Sequence, residues 1–528
     1  MAEDERERAQ TQPPASPRAR RSGGRKARKA MREAPLSERL RPVHPGLPGG
    51  TYRPLRDGDV ERIHRAALDV LEHIGLKNAP PSGREAMTAA GALEGDDGRL
   101  RFPRALVEDM VAKAARNLTL PARDPRFDLE LHGKQVHFGT AGAAVHVHDP
   151  DTNTYRDPTI GDLYDAARLT QALDNVHFFQ RPLVCRDIED NFELDLNTIY
   201  ACCSGTTKHI GTSIGDAAHV PGLLDLLHLI AGGEAAWRAR PFVLNSNCFV
   251  VPPLAFAEES CVVMEACIRG GMPVLLLSAG QAGATAPAPL ATAIVQAVAE
   301  CLAGVVYVNA IRPGHPAVFG TWPFVSDLRS GAMSGGSGEQ ALLTAGCAQM
   351  HHFYGLPGGA AAGIADSKVP DMQAGWEQGI SNVMAGLAGL NMVYEAVGMH
   401  ASLLGFSFDS LVLGNDMIGQ VLRCVRGIDV DDDALSIDMM RDVCLDGPGH
   451  YLGHARTLAI MESEYIYPDI ADRTSPKEWE EVGRPDLLAA ARTRRETILS
   501  APTQPLIDPA IDAQIRERFT IHLPPGGA

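Results

Sequence analysis

A chain of 528 residues, 45% hydrophobic and 22% charged, has room for one enzyme-sized core with extensions or for two to three ordinary domains of a globular protein. No stretch approaches the about 18 to 20 uninterrupted apolar residues of a membrane span and no apolar signal-peptide core opens the chain, so the expectation is a cytoplasmic protein with no membrane role. The net charge of −16 is unevenly spread, because RARRSGGRKARKAMREAPLSERLR at 18–41 is strongly basic.

That segment reads as a disordered basic tail over residues 1–45. A nucleic-acid role is disfavoured, because no aromatic residue is interleaved to stack on bases. A helical module is expected over 46–130. In DGDVERIHRAALDVLEHIGL, Val60, Ile63, Ala67, Val70, Leu71 and Ile74 share one helical face, and Gly75 ends it. A second helix is expected at PRALVEDMVAKAARN.

From about 131 to 430 short apolar runs alternate with amphipathic stretches. The expected strands are QVHFGTAG, VHFFQRPLV, KHIGTSI, PFVLNSN, PVLLLSAGQ, PAVFGTW, GGAAAGIAD and ASLLGFSFD; the expected helices are 162–173, 190–203, 218–231, 254–269, 289–308, 337–353, 373–397 and 415–427. Thr159 and Asp162 carry a capping-box signal for the first helix. Near-continuous apolar strands are those of a sheet covered on both faces. Eight such units imply an α/β fold, a (β/α)8 TIM barrel with helical N- and C-terminal extensions; an open doubly wound sheet is the alternative. Residues 431–528 read as a helical, polar extension packed on the barrel.

Chemistry in such barrels collects at the C-terminal ends of the strands. The expected rim holds Gly139, Thr140, Gln180, Arg181, Ser213, Asp216, Asn245, Asn247, Ser278, Gln281, Thr321, Trp322, Asp366, Lys368, Phe408 and Asp409. Thr140, Ser213, Asn245 and Asn247 read as structural caps. No GxGxxG or Walker loop is present, and SGGSGEQ at 334–340 is a weak phosphate signal. The ten cysteines form no CxxC pair and read as reduced, buried thiols. HVHD at 146–149 and HYLGH at 450–454, the latter at i and i+4 on a helix, could offer two metal ligands each, but structural roles are preferred and no metal is expected. DAAHVPG at 216–222 has its His one residue late for a cobalamin-ligand motif.

FYGLPGGAAAGIADSKVPDMQAGWE resembles the seventh-strand signature of the trimethylamine:corrinoid methyltransferase family. DVLEHIG, FGTAG, KHIGTSIGD, SGGSGEQALL, FYGLP, NDM and GHYLGH add to that resemblance from residue 58 onward. Trimethylamine-specific members carry pyrrolysine four residues before the signature Lys; here that position is Ile364. The resemblance therefore implies the non-pyrrolysine branch, similar to glycine betaine methyltransferase. It implies methyl transfer from a quaternary or other methylated amine to the Co(I) of a separate corrinoid protein. No tightly bound cofactor is implied, and a homo-oligomer is expected.

A quaternary nitrogen is already cationic and leaves as a neutral amine, so such a substrate needs a box of aromatic faces rather than a proton donor or zinc. Trp322, Phe324, Phe178, Phe179 and Phe408 are the candidate faces, with only one of Phe178 and Phe179 able to face the axis. Arg181 or Lys368 could bind a betaine carboxylate and Glu339 could oppose the cation; Gln281 and Ile364 complete the expected substrate set. Asp366, Lys368 and Glu339 are the expected catalytic residues. The Gly/Ala run before Asp366 is expected to keep its strand thin for substrate and corrinoid. The alternatives are a lyase-like barrel using Asp366 and Lys368 as acid and base, and a non-catalytic small-molecule sensor with a nucleic-acid-binding tail.

Overall fold

Eight parallel strands close into a ring in a computed structural model that describes residues 41–445, 447–502 and 504–525. They are β1 (Gln135–Phe138), β2 (Phe179–Gln180), β3 (Ile210–Thr212), β4 (Val243–Asn245), β5 (Val274–Ser278), β6 (Ala317–Thr321), β7 (Gly359–Ala361) and β8 (Met392–Tyr394). Strands β2 to β6 pair in order, and β7 pairs with β8, which pairs with β1. Single parallel bridges, Gly139–Phe178 and Phe319–Gly358, join the two sets, so every strand has two neighbours. That closure removes the open-sheet alternative. The basic segment up to residue 40 lies outside the described residues.

Each strand is followed by a helix: α1 (Ile160–Ala172), α2 (Asn191–Gly205), α3 (Val220–Ala231), α4 (Glu258–Arg269), α5 (Leu290–Ile311), α6 (Gly338–Tyr354), α7 (Met372–Ala388) and α8 (Phe408–Arg426). The capping box at Thr159 and Asp162 opens α1. Seven strands fall within the expected runs. The eighth does not: α7 stops at Gly389, which is left-handed at φ 78°, and β8 lies inside the stretch expected to be helical up to 397. ASLLGFSFD instead supplies Gly405–Phe406 to a small sheet with Met399–His400 and His146–Asp149, and then begins α8. HVHD is thus a strand of this rim sheet, with His148 Nε2 3.0 Å from Asn153 Oδ1.

Strand alternation and register set which side chains fill the barrel. Gln180, Gly211 and Leu244 share one register level and face inward, as do Leu277 with Gly320 and Ala361 with Tyr394. The inner wall is hollowed by glycine where a neighbour is large. A Cβ on Gly359 would lie 2.7 Å from the Tyr394 ring, one on Gly139 would lie 2.4 Å from Phe178, and one on Gly320 would lie 2.7 Å from Leu275. At Gly359 the thin Gly/Ala strand makes room for the ring of Tyr394.

Outward faces pack on the helices. Helix α5 is 22 residues long and by length and mean composition could cross a membrane, although Gln296, Glu300 and Asn309 interrupt its apolar run; 89% of its most apolar window is buried. It packs between β5, β6 and the N-terminal helices. There Ser82 and Tyr307 both donate to Glu265 Oε1, at 2.9 and 2.6 Å. The helix Asp57–Asp69 buries Val60, Ile63, Ala67 and Leu68. It then widens into a single π turn at Val70–Ile74, which shifts the phase of the face and leaves Ile74 exposed. Below the barrel Lys208 is buried, and its Nζ donates to the carbonyls of Thr170, Leu173 and Val176, spending all three ammonium protons on the C-terminal end of α1 and the turn after it.

Residues 466–502 and 504–525 pack on α1, α2 and α8 through Arg168 to the Leu499 carbonyl, Asn197 to the Thr520 carbonyl and Arg495 to Asp409. The described residues of Arg441–Tyr465 belong to a separate unit. In it HYLGH is a loop and not a helix, with His454 capping the helix Ala455–Glu464 and 3.6 Å from Asp442. The cysteines are free thiols, but Cys248, Cys424 and Cys444 are exposed rather than buried.

The glycine-lined wall makes a paired prediction. Gly359→Ala should cost about 1–3 kcal/mol in urea unfolding by crowding Tyr394, whereas Gly375→Ala, on the exposed face of α7 with nothing near its Cβ, should add about 0.5–1 kcal/mol. Equal effects would show that the inner wall is loosely packed.

Candidate functional site

At the C-terminal mouth the inward positions are aromatic and polar. Tyr394 on β8 is fully buried, with its ring centroid 5.0 Å from Trp322 and 5.1 Å from Phe178. Its hydroxyl turns down the axis and donates to Met392 Sδ at 3.3 Å. Trp322, 6% exposed, has no acceptor for its indole N–H among the described residues. Across the mouth, Gln180 Nε2 donates to Ser246 Oγ and ties β2 to β4. Phe178, Tyr394 and Trp322 thus form a floor contributed by three different strands.

Above that floor stands Glu395. It follows Tyr394 in a left-handed conformation, φ 60°, uncommon for a residue with a side chain. Its side chain is buried, and it makes no hydrogen bond or ion pair among the described residues; Oε2 is entirely enclosed. Burial alone pushes its pKa up to about 8. Just beyond β4, Cys248 is open to solvent, yet the protein packed around it, and then Glu395, push its thiol up to about 11. A bulge turns Glu395 inward: Gly139 at the end of β1 donates to the Val393 carbonyl and accepts from the Ala396 N–H, so Tyr394 and Glu395 oppose a single residue and the strand's alternation is broken at Glu395. Arg181, beyond β2, donates from Nη1 to the Leu183 carbonyl at 3.0 Å, and burial lowers its pKa. Nearby Asp195 is engaged by His219 Nδ1 at 2.7 Å and by the Gly215 N–H. The histidine of DAAHVPG is therefore held by an acid at the start of α3.

The signature carboxylate is built differently. Asp366 accepts from Ser334 Oγ at 2.5 Å, from the Gly335 N–H at 2.7 Å and from Ser402 Oγ at 2.7 Å. It therefore clamps the loop before α6 and the loop after β8 onto the end of β7. Glu377 on α7 holds the same turn from below, accepting from the Asp366 N–H. Ile364 lies beneath the clamped loop, fully enclosed, so close that a Cβ on Gly335 would lie 2.5 Å from it. Lys368 is exposed; its Nζ donates to the backbone carbonyl of Asp366, not to the carboxylate, so the two do not form an acid–base pair.

Glu339 is exposed in the first turn of α6. It shares with Asp366, Trp376 and Leu328 a cleft of about 740 Å³ bordered by α6 and α7. Phe179 is buried on the outer face of β2. Phe324 is buried in a short strand paired beside Gln281, whose Oε1 accepts from Ser326 Oγ at 3.2 Å. Phe408 begins α8 against Phe406 and does not end a barrel strand; Asp409 is taken by Arg495. Of the eleven sequence candidates, Trp322 and Phe178 meet at the axis, Arg181 lies at the rim, and Asp366 and Ile364 form the clamp. Thr140 and Asn247 are structural, though they tie neighbouring loops and do not cap helices. Sequence reasoning missed Tyr394 and Glu395 because they lay in text assigned to a helix. Among the described residues one group has metal-ligand spacing, Asp69, Glu72 and His73; it is at the surface, and Arg104 already donates to both acids.

Two measurements follow from these carboxyls. Asp366→Ala should cost about 1–3 kcal/mol by orphaning three donors, with faster hydrogen exchange confined to 333–336 and 402; unchanged exchange there would remove the clamp. Because Glu395 titrates higher folded than unfolded, wild-type stability should fall as pH rises from about 4.5 to about 8, where the unfolded chain alone ionises. Glu395→Gln should flatten that part of the Tm–pH curve, and a slope unchanged by the substitution would show the carboxyl to be solvated.

A family model described as trimethylamine methyltransferase (MTTB) matches residues 21–522. A trimethylamine methyltransferase MttB of Desulfitobacterium hafniense (strain DSM 10664 / DCB-2) is 29% identical over 461 residues, 87% of this chain and 92% of that one. A glycine betaine methyltransferase of Desulfitobacterium hafniense (strain Y51) is 28% identical over 468 residues, 88% and 96% of the two chains. Among solved structures the monomethylamine methyltransferase MtmB of Methanosarcina barkeri aligns at a TM-score of 0.44 and 12% identity, covering 84% of this chain and 94% of that one. With a match that runs almost end to end and an eight-stranded barrel beneath it, this chain belongs to the trimethylamine methyltransferase family and is an amine methyltransferase.

Proposed function

We propose that this enzyme takes a methyl group from a quaternary amine, glycine betaine or a relative of it, and passes it to the Co(I) of a separate corrinoid protein docked at the barrel mouth. The observation that carries this reading is Ile364, an inert side chain sealed under the Gly335 loop where trimethylamine-specific members place their reactive residue. With no side chain there to activate an amine, the substrate must arrive activated.

A quaternary ammonium meets that condition. The methyl C–N bond breaks, its electron pair returns to nitrogen as the lone pair of a neutral tertiary amine, and the methyl carbon accepts the pair of Co(I). No proton moves. Trimethylamine by the same path would have to expel an amide anion. What the protein supplies is a place for a methylated cation. The Trp322 and Tyr394 rings offer aromatic surface at the axis, and Arg181 at the rim suits a betaine carboxylate. The lyase reading finds less support, because the lone pairs of Asp366 are already spent on three donors and Lys368 turns to a backbone carbonyl.

The decisive assay is methylation of reduced cobalamin with a panel of betaines, carnitine and choline beside trimethylamine. Transfer from at least one quaternary amine and none from trimethylamine is expected; activity with trimethylamine alone would reverse the substrate reading. Trp322→Ala should raise KM about two- to thirty-fold, the worth of one cation–π contact. Arg181→Ala should raise KM for betaines while leaving KM for choline unchanged, and equal losses on both would remove Arg181 from the carboxylate site.

A further inference from the structure

We infer that Glu395, rather than any acid of the signature motif, is the residue that receives the substrate's ammonium group at the barrel axis. This rests on the reading of the site as an ammonium pocket, and adds to it the anion that selects a cation.

Its position comes first. The residue follows Tyr394, the last residue of β8, and its left-handed backbone takes the side chain out of the strand's alternation. Gly139 donates to the Val393 carbonyl and accepts from the Ala396 N–H, so Tyr394 and Glu395 together oppose one residue at the end of β1, a bulge that brings Glu395 to the side of Tyr394, whose ring packs on Phe178 and Trp322. Then comes its isolation. A buried polar group is normally hydrogen-bonded, and leaving one unpaired costs about 1–3 kcal/mol. Neither Glu395 oxygen has a partner among the described residues, and no lysine, arginine or histidine offsets its burial. The fold has thus prepared a carboxyl and withheld its counter-ion. Of the other acids at this end of the barrel, Asp366, Glu377 and Asp195 are already hydrogen-bonded and Glu339 is exposed.

The ligand chemistry follows from what such a group can recognise. A quaternary ammonium has no N–H, so hydrogen-bond acceptors cannot hold it; an unpaired carboxylate beside aromatic faces can. With no cation bound, Glu395 is mostly protonated at pH 7 and adds no charge to the mouth. When the cation enters, the carboxyl ionises and its proton goes to solvent. Facing groups do not titrate in the same range: Cys248 is pushed up to about 11, Tyr394 lies higher still, and Arg181 is a permanent cation at the rim. Below about pH 8 affinity is therefore taxed by the proton, and above it the tax disappears.

The test is calorimetric titration of the full chain with tetramethylammonium chloride, in two buffers of different ionisation enthalpy, at pH 6, 7 and 8. The uncharged isostere 3,3-dimethyl-1-butanol serves as control. Wild type should release close to one proton per cation bound at pH 7 and bind about fifty-fold tighter at pH 8 than at pH 6. Glu395→Gln should lose both effects while binding the isostere as wild type does; Glu395→Asp, which keeps the charge, should retain proton release. Proton-neutral, pH-independent binding by wild type would overturn the role of Glu395 and leave the ammonium pocket standing. No binding of tetramethylammonium or of betaine at any pH would overturn both.

Discussion

The barrel depends on one packing constraint, the placement of a tyrosine on its axis. Tyr394 is too large for a ring of ordinary side chains, and it fits because Gly359 beside it has none and because Gly139 makes room for the Phe178 ring that flanks it. Interiors tolerate neither voids nor overlap. The glycines therefore serve the packing of their neighbours, and the same contact that closes the barrel also builds the floor of its mouth. Stability and site share a single set of atoms.

Two carboxyls within 30 residues of one another show how environment assigns roles. Asp366 lies in the signature and looks catalytic in one dimension, but three donors hold it and its work is to fasten loops over Ile364. Glu395 has no motif around it, yet it is buried, unpartnered and raised toward neutrality. A saturated carboxylate positions; an unsatisfied one is available to a ligand. That contrast moves the chemical interest from the β7 end of the rim to β8.

Much of the architecture was legible in the chain because its strands are covered on both faces and read as apolar runs, such as the VLLLS of β5. The eighth strand was not. Only three residues long, it follows a helix of 17 residues after a three-residue turn, and its apolar text continues the helical run. Gly389 was the available stop signal. Missing it displaced the rim by one strand, put Phe408 and Asp409 where Tyr394 and Glu395 belong, and left Glu339 to stand for the missing anion.

By itself the sequence determined the class of fold, the family signature and the absence of a reactive residue at Ile364, since these are matters of residue type and spacing along the chain. Tertiary structure alone decided which side chains meet. Trp322, Tyr394 and Phe178 come from three strands, and the donors to Asp366 from two separate loops. The physical reason is that hydrogen-bond saturation and desolvation are properties of a three-dimensional surrounding, and neither is written in the identity of the residue that experiences it.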